Sequence, residues 1–193
     1  MGRIKLDKVI VVDVEATCWE PKPISNAKEF QSEIIEIGLC TIDLNGKATD
    51  EFGREQKKSL IVKPKYSKVS RFCTELTTLT QADVDAGVSL EAACKAIRDE
   101  FDSKNRVWVS FGDYDRKQFQ DECQSKGIDY PFGPRHINVK NLFAILNRLD
   151  SEVGMPTALD KLGLQLDGTH HRGVDDAWNI AKIAAKVLAK RKW

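Results

Sequence analysis

The chain has 193 residues, 41% of them apolar and 31% charged, which predicts a single globular domain over residues 1–193 with a core that needs no disulfides. Its net charge of +1 excludes an overall positive field that would attract nucleic acid. Because no apolar run approaches the roughly 18 residues of a membrane helix, no membrane partner is expected. The five cysteines are scattered and form no C-x-x-C pair, which argues against a disulfide framework or a zinc site and predicts reduced thiols in a cytoplasmic setting.

Three strands are predicted in the N-terminal part of the chain. The apolar run over residues 8–14 does not alternate with polar residues, which indicates a strand that is buried on both faces. After a polar loop over 16–32, residues 34–44 alternate and are rich in β-branched side chains, so they predict a second strand. Asn45-Gly46 is a hairpin signal that places a third strand within 48–63. These strands are expected to form an antiparallel meander.

Strands and helices alternate in the remainder of the chain, which predicts an α/β domain with a mixed five-stranded sheet flanked by helices. Residues 73–87 indicate short helical turns, and Ser89 can cap a helix that continues to about Phe101. The further predicted elements are a strand over 107–110, a helix over 114–126 that Gly127 ends, a strand over 136–139, a helix to about Leu149, a short helix from Thr157 and a long helix over 174–190.

The first strand ends in two acids, Asp13 and Glu15. Side chains at i and i+2 of a strand point to the same face, so these two carboxylates lie side by side. Two close anions repel each other, and burial increases that cost unless a cation lies between them. Carboxylates without neighbouring Cys or His suit hard cations such as Mg²⁺ or Mn²⁺. The pair predicts a metal site, and two solvated acids at a strand end are the alternative that this pattern alone leaves open.

Two further acids, Asp113 and Asp115, follow the strand "VWVS", where α/β domains place ligands. Asp113 fits the N-cap of the next helix, and Asp115 also fits a first-turn acid that interacts with the helix dipole. The sequence alone does not separate these structural roles from a role in a site.

The segment "THHRGVDDAWNIAKI" carries two histidines and two acids before the last helix. Asp176 prolongs the apolar stripe of this helix, so it is expected to face inward as the ligand, whereas Asp175 prolongs a polar stripe and is expected on the surface. The apolar stripe is Ile180, Ile183 and Val187, and the polar stripe is Asn179, Lys182 and Lys186. His170 and His171 lie in the loop that leads to the inward acid, which favours a functional role over the structural role usual for a lone histidine.

Together these motifs resemble those of the DEDDh family of 3′–5′ exonucleases, which has an RNase H-like fold. The motifs are "DVEAT", "YDRKQF" and "HRGVDDA", and they follow the family's order over about residues 9–190. The forms "DVEATCWE", "FCTELTTLTQADV" and "HHRGVDDAWNIAKI" are most similar to the subgroup that trims histone mRNA ends and small interfering RNAs. Ribonuclease T and the proofreading subunit of bacterial DNA polymerase III are similar at a greater distance.

The resemblance implies a role for particular residues. The metal ligands would be Asp13, Glu15, Asp115 and Asp176, and the general base would be His171, with His170 as a bystander. Ala16 and Thr17 would meet the terminal nucleotide, and Trp19, Leu76 and Tyr114 match positions that pack on terminal bases or sugars. Core packing for Leu76 and a loop aromatic for Trp19 are the alternatives.

A site of this composition suits phosphodiester hydrolysis. Two Mg²⁺ (or Mn²⁺) ions roughly 3.5–4 Å apart can generate hydroxide and stabilise the leaving oxygen. Asp13 would bridge both ions, Glu15 and Asp176 would complete the first ion's site, and Asp115 would support the second. A histidine with a pKa near its usual value of about 6.5 is suited to taking the proton of the attacking water. The expected partner is RNA or single-stranded DNA with a free 3′ end, and the expected product is a nucleoside 5′-monophosphate.

A local positive surface is predicted between residues 54 and 71. Its members are Arg54, Lys57, Lys58, Lys63, Lys65, Lys68 and Arg71. Some of these side chains would contact backbone phosphates, and an edge strand that lysines protect from pairing is the alternative.

Two other functions are alternatives to the exonuclease. A haloacid-dehalogenase-type phosphatase also places an acid pair after an apolar strand, but its pattern is D-x-D-x-[ST], and it leaves the spacing of His171 and Asp176 unexplained. A non-catalytic nucleic-acid-binding module on the same fold would be indicated by the loss of an acid or of the histidine, and all five are present. The sequence does not decide between RNA and DNA, or identify the biological target, the protein partners or the oligomeric state.

Overall fold

The computed structural model describes residues 3–22, 24–25, 27–48 and 50–189. Its five strands are β1 (Lys5–Ala16), β2 (Ile34–Asp43), β3 (Arg54–Ile61), β4 (Arg106–Ser110) and β5 (His136–Asn138). They form one sheet in the order β3-β2-β1-β4-β5. β1, β2 and β3 pair antiparallel, whereas β4 pairs parallel with both β1 and β5. The predicted meander followed by parallel strands is confirmed.

Seven α-helices flank this sheet within the described residues. They are α1 (Arg71–Thr77), α2 (Gln81–Asp85), α3 (Leu90–Phe101), α4 (Tyr114–Lys126), α5 (Val139–Leu146), α6 (Met155–Lys161) and α7 (Gly173–Ala189). Ser89 caps α3 and Gly127 ends α4 in the left-handed conformation, as expected. α6 begins two residues before the predicted Thr157, because Gly154 forms its N-cap and Pro156 suits its first turn. Among the helices described, none is both long and apolar enough to cross a membrane.

Alternate residues of β1 face two different helical layers. Val9 and Val11 pack with residues of α5, α6 and α7, whereas Ile10 and Val12 pack with residues of α3 and α4. β1 is therefore buried on both faces, as its uninterrupted apolar run predicts. The same alternation places the side chains of Asp13 and Glu15 on the face that α7 covers.

The connection between β2 and β3 is longer than a two-residue hairpin and runs over residues 44–53. The chain turns at Asn45-Gly46, where the Asp43 carboxylate accepts the backbone N–H groups of Asn45, Lys47 and Ala48. A second turn follows, in which the Asp50 carboxylate accepts backbone N–H groups of Phe52 and Arg54. Each aspartate thus organises one turn, and the extra residues separate the two.

The expectation that the polar stripe of α7 faces water is wrong for Asn179 and Lys182, whereas Lys186 is exposed as expected. Asn179 and Lys182 are 0% and 4% exposed. The segment over 165–169 crosses this face: the Asn179 side chain bonds both backbone groups of Asp167, and Lys182 Nζ donates to the Gln165 carbonyl at 2.7 Å. A crossing loop supplies the polar partners that water would otherwise supply, and helical periodicity alone does not reveal such a loop.

Candidate active site

Asp13 and Glu15 lie at the C-terminal end of β1, side by side on the face that α7 covers. Asp13 is paired with Gly38 of β2 and Glu15 with Glu36. Carboxylate oxygens of Asp13, Glu15 and Asp176 all lie within 4.8 Å of one another. The first and third predicted motifs therefore meet, although more than 150 residues separate them in the chain.

Asp115 joins this group because β4 ends before β1 does. Beyond Ser110 the backbone N–H of Val14 has no strand partner on that side, and it donates to Oδ1 of Asp115 at 2.9 Å. Asp115 is buried in the first turn of α4. Asp113 occupies the N-cap position of the same helix, but its side chain makes no capping hydrogen bond and its carboxylate pairs with Arg116 at 3.0 Å instead. The structure thus separates two acids whose roles the sequence left open.

The start of α7 is fixed on β2 by a buried carboxylate that the sequence analysis did not identify. Glu36 is fully buried, and its Oε2 accepts the backbone N–H of Gly173 and Nε of Arg172, each at 3.0 Å. Ser59 donates to the other oxygen at 2.6 Å. A carboxylate at a helix N-terminus satisfies free N–H groups and complements the helix dipole. The only signal for this role is an acid inside the apolar strand "IIEIG".

Two glycines allow α7 to touch the sheet at this point. A Cβ atom on Gly38 would lie 1.9 Å from the carbonyl carbon and oxygen of Gly173, so no side chain fits there. The backbone contact and the Glu36 hydrogen bonds together set where α7 begins. Asp176, in the first turn of α7, is thereby held opposite Asp13 and Glu15.

We expect Gly38→Ala to lower the free energy of unfolding by about 3 kcal/mol or more, because the new methyl group meets backbone atoms that cannot rotate away. Hydrolytic activity should fall with it, since the start of α7 must move off β2. Thermal denaturation and an activity assay measure both effects. Gly154→Ala is the matched control: its Cβ would meet only Pro156 Cδ at 3.9 Å, so a change below about 1 kcal/mol is expected. Equal stability of the two variants would contradict the close contact.

Both histidines lie beside Asp176. Nδ1 of His170 is 2.9 Å from Oδ2 of Asp176, and the backbone N–H of His171 donates to the same oxygen at 2.9 Å. The two imidazole rings stack with their centroids 3.9 Å apart, and His171 has a left-handed φ of 64°. A left-handed backbone is unfavourable for a residue with a side chain, so the surrounding contacts hold it. Because both rings reach the site, His171 as the base and His170 as the bystander stay predictions.

All four predicted acids and both histidines line one cavity of about 260 Å³. The rest of its lining is Val14, Phe111, Tyr114, Met155 and Ile180. The residues of the three sequence motifs are therefore brought together in one place.

Burial raises the pKa of each of the four acids, and the charges of neighbouring acids raise it further for Asp13, Glu15 and Asp115. Desolvation is the largest cause throughout, and it raises the pKa of Glu15 to about 8 and that of Asp115 to about 6. The pKa of Asp13 is raised well above its usual range by burial and by the charges of Asp115 and Glu15, and the pKa of Asp176 is raised as well. Crowded carboxylate oxygens that resist ionisation fit a hard divalent cation, whose charge removes the repulsion.

The pKa of Glu15 makes the stability of the ion-free protein depend on pH. Between its ordinary pKa of 4.5 and the folded value of about 8, the folded state holds a proton that the unfolded state has released. The free energy of unfolding therefore falls as the pH rises through this window. We expect the Tm in chelator to fall from about pH 5 to about pH 8, and added Mg²⁺ to raise it more at the higher pH. Glu15→Gln should flatten this dependence, and a Tm that rises with pH in wild type would contradict the assignment.

The residues predicted to contact substrate do not share one cavity. Thr17, Trp19 and Tyr114 line a larger cleft of about 670 Å³ between the loop after β1 and α4, and Tyr114 lines the acid cavity as well. Ala16 is buried at the end of β1, and Leu76 is half-buried on α1. Neither of them lines the acid cavity or the larger cleft.

The comparisons with known proteins agree on one family. Residues 10–184 match the Exonuclease family (RNase_T). The chain is 30% identical to the "3′-5′ exoribonuclease 1" of Homo sapiens over 192 residues, which cover 94% of this chain and 52% of that protein. The "3′-5′ exonuclease Snipper" of Drosophila melanogaster is 29% identical, over 93% of this chain and 69% of that protein. The chain thus spans about half the length of the mammalian exoribonucleases that it matches.

Solved structures agree with this match. The nuclease domain of 3′hExo, described as a DEDDh family member bound to rAMP, superposes with a TM-score of 0.80 at 27% identity, over 97% of this chain and 94% of that chain. A full-length 3′-exonuclease gives a TM-score of 0.82 at 28% identity, over 97% of this chain and 62% of that chain. The described fold is therefore that of an RNase H-like exonuclease domain.

Proposed function

Because this chain belongs to the Exonuclease family and to its DEDDh group, we propose that it is a divalent-metal-dependent 3′–5′ exonuclease. Its substrate is RNA or single-stranded DNA with a free 3′ end, and its product is a nucleoside 5′-monophosphate. The observation that carries the proposal is the convergence of four carboxylates and two histidines on one cavity beside Tyr114. These carboxylates come from three separate parts of the chain: the end of β1, the first turn of α4 and the first turn of α7.

The acids suit two Mg²⁺ (or Mn²⁺) ions. Asp13 would help to hold both ions, Glu15 and Asp176 would complete the ligands of one, and Asp115 would support the other. When bound, such ions supply activation of the attacking water and neutralise the charge of the phosphate and the leaving oxygen. The support is the cluster of oxygens from Asp13, Glu15 and Asp176, together with the burial that raises the pKa of all three carboxyls.

The remaining steps fall to side chains around the cavity. His171 takes the proton of the attacking water, because burial lowers its pKa and keeps the ring neutral. Tyr114 is 57% exposed between the cavity and the larger cleft, so its ring is available to the terminal base. Thr17 is buried, with its hydroxyl bonded to Ser67 and to the backbone of Glu33, so it shapes the loop after β1.

The two rival functions have less support. The family match and the fold do not favour a haloacid-dehalogenase-type phosphatase. A non-catalytic module is not favoured either, because no predicted acid is missing from the cavity.

The direction of degradation tests the proposal. A single strand that carries a label at its 5′ end should give a ladder that shortens from the 3′ end when Mg²⁺ is present. A 3′-phosphate should block the reaction, because it adds charge and bulk where the terminal hydroxyl must lie. Chelator is the control for the metal, and matched RNA and DNA strands compare the two substrates. Efficient cleavage of a circular single strand would show an endonuclease instead.

The paired histidines supply a second prediction. His171→Ala should lower kcat by roughly 10²–10⁴, the usual effect of losing a positioned general base. His170→Ala is the matched control, with the same change one residue away, and it should lower the rate much less. Both rates are measured on one oligonucleotide at saturating Mg²⁺. The comparison is needed because His170 contacts Asp176. A larger loss of rate in His170→Ala than in His171→Ala would show that His170 is the base.

A further inference from the structure

A lysine–tyrosine cluster, formed by Lys28, Lys65 and Tyr66, lies beside the larger cleft, away from the acid cavity. The Tyr66 ring is 38% exposed and lines the cleft. The ammonium nitrogens of Lys28 and Lys65 lie 4.8 Å and 5.1 Å from its centroid. Lys126, on the last turn of α4, approaches the same ring to 6.0 Å. Three cations thus surround one exposed aromatic ring.

Two of these cations have no anionic partner within the part of the chain that the structure describes. Lys126 is paired with Glu33 and Glu122, at 2.6 Å in each case, whereas Lys28 and Lys65 form no ion pair among the described residues. A hydrogen bond from Lys65 and the nearby ammonium charges lower the pKa of Tyr66. Like charges that are held together without counterions create a local field that attracts an anion.

The backbone beneath the cluster is held rigidly. The buried carboxylate of Glu33 accepts the backbone N–H groups of Lys65, Tyr66 and Ser67 at 2.9, 2.8 and 2.6 Å. Lys126 donates to the same carboxylate at 2.6 Å and so links this segment to α4. A surface that is ordered in advance loses less conformational entropy when a ligand binds.

The cluster is connected to the acid cavity through the cleft. The hydroxyls of Thr17 and Ser67 lie 3.0 Å apart, which joins the residue after Tyr66 to the loop two residues beyond Glu15. Tyr114 lines both the cleft and the cavity. The cleft also presents the ring of Trp19, packed edge-on against Phe30 with centroids 6.0 Å apart. Its volume of about 670 Å³ lies within the range of ligand pockets.

We infer that this cleft binds the single-stranded nucleic acid upstream of the terminal nucleotide, with backbone phosphates at Lys28 and Lys65 and a base against Tyr66. Cations that follow a strand, together with aromatic rings for stacking, are the features by which proteins bind single strands without reading their sequence. The inference rests on the proposed function, since it concerns the strand whose 3′ end enters the acid cavity. An unpaired strand is the occupant, because bases must be free of a duplex to stack on Tyr66.

Equilibrium binding tests this inference without requiring cleavage. A fluorescein-labelled ten-nucleotide single strand is titrated with the protein at several salt concentrations, with Ca²⁺ in place of Mg²⁺. We expect Lys28→Ala and Lys65→Ala each to weaken binding and to reduce the slope of log K against log salt by about 0.7, the value for one phosphate contact on a single strand. Tyr66→Ala should weaken binding roughly tenfold, as for the loss of one base stack, whereas Tyr66→Phe, which keeps the ring and loses only the hydrogen bond from Lys65, should weaken binding much less.

Lys47→Ala is the matched control, because it removes one lysine from the connection after β2, at the opposite end of β1 from Asp13. Its affinity and salt slope should equal those of wild type. A slope that is unchanged in both Lys28→Ala and Lys65→Ala would overturn the inference. So would equal losses in Lys47→Ala, which would show a general charge effect.

Substrate length supplies the second measurement. Hydrolysis of a dinucleotide should proceed equally in wild type and in the Lys28→Ala/Lys65→Ala double variant, whereas KM for the ten-nucleotide strand should rise in the variant. Equal losses on both substrates would overturn the inference, because they would place the effect at the reacting end. Absence of hydrolysis in wild type would contradict the proposed function instead, and the binding data alone would then decide the role of the cleft.

Discussion

Asp13→Asn is expected to abolish hydrolysis and to leave the ion-free protein as stable as wild type or more stable. Asp13 lies among Glu15, Asp115 and Asp176, and burial together with the repulsion within this group raises its pKa well above the usual range. Asparagine keeps the size of the side chain but removes one of the charges that repel, so folding in chelator gains from the change. The same change removes the central ligand for the cations. Activity with Mg²⁺ and Tm in chelator at about pH 8 measure the two effects.

Asp7→Asn is the matched control, with the same chemical change at the other end of β1. The Arg106 guanidinium hydrogen-bonds to Asp7 and lowers its pKa to about 2. A carboxyl whose pKa is lower in the folded state stabilises the fold at pH values above its ordinary pKa of 3.8. This variant should therefore lose stability at neutral pH and keep its activity, the reverse of Asp13→Asn. Hydrolysis at nearly the wild-type rate by Asp13→Asn would rule out the metal-ligand role.

Asp176→Asn is expected to reduce hydrolysis as severely as Asp13→Asn. The reason is that a carboxylate oxygen of Asp176 lies within 4.8 Å of those of Asp13 and Glu15, in the group that would bind the ion. Its neighbour Asp175 provides the comparison. The Asp175 carboxylate accepts from Lys57 Nζ at 2.7 Å and from the Thr169 backbone at 2.9 Å, outside the cavity. Asp175→Asn should therefore keep its activity and lose about 1 kcal/mol of stability through weakened hydrogen bonds.

Activity and denaturation of the two variants are measured in parallel at saturating Mg²⁺. If Asp175→Asn were the more damaging to hydrolysis, the register of α7 described above would be wrong, and the third motif with it. Binding of Mn²⁺ by calorimetry adds a readout besides activity: it should weaken in Asp176→Asn and not in Asp175→Asn.

Much of the fold was predictable because its local signals agree with its packing. The unbroken apolar run of β1 indicates burial on both faces, and the two helical layers supply it. Ser89 and Gly127 mark helix ends where the structure has them. The burial of Asn179 and Lys182 on α7 was not predictable, because the loop that covers them lies outside the helix. Local periodicity carries no information about which loop crosses a helix face.

The candidate site likewise has features that the sequence predicts and features that it does not. The spacing within "DVE" places Asp13 and Glu15 on one face, and the periodicity of α7 turns Asp176 inward, so these placements follow from local geometry. The fixing of α7 by Glu36 and by the contact of Gly38 with Gly173 depends on a pairing across more than 130 residues. The contact of His170 with Asp176 likewise follows from the path of the loop and not from the motif spacing.

The position of α7 has a consequence for how the domain is made. Asp13, Glu15 and Asp115 leave the ribosome well before residues 173–189, which bring Asp176 and cover Val9 and Val11. A nascent chain from which α7 has not yet emerged carries three of the four carboxylates and an apolar sheet face that lacks one of its three covering helices. The acid site is thus completed only when α7 has packed on the sheet. Until then the growing chain lacks Asp176 and therefore has an incomplete set of the proposed metal ligands.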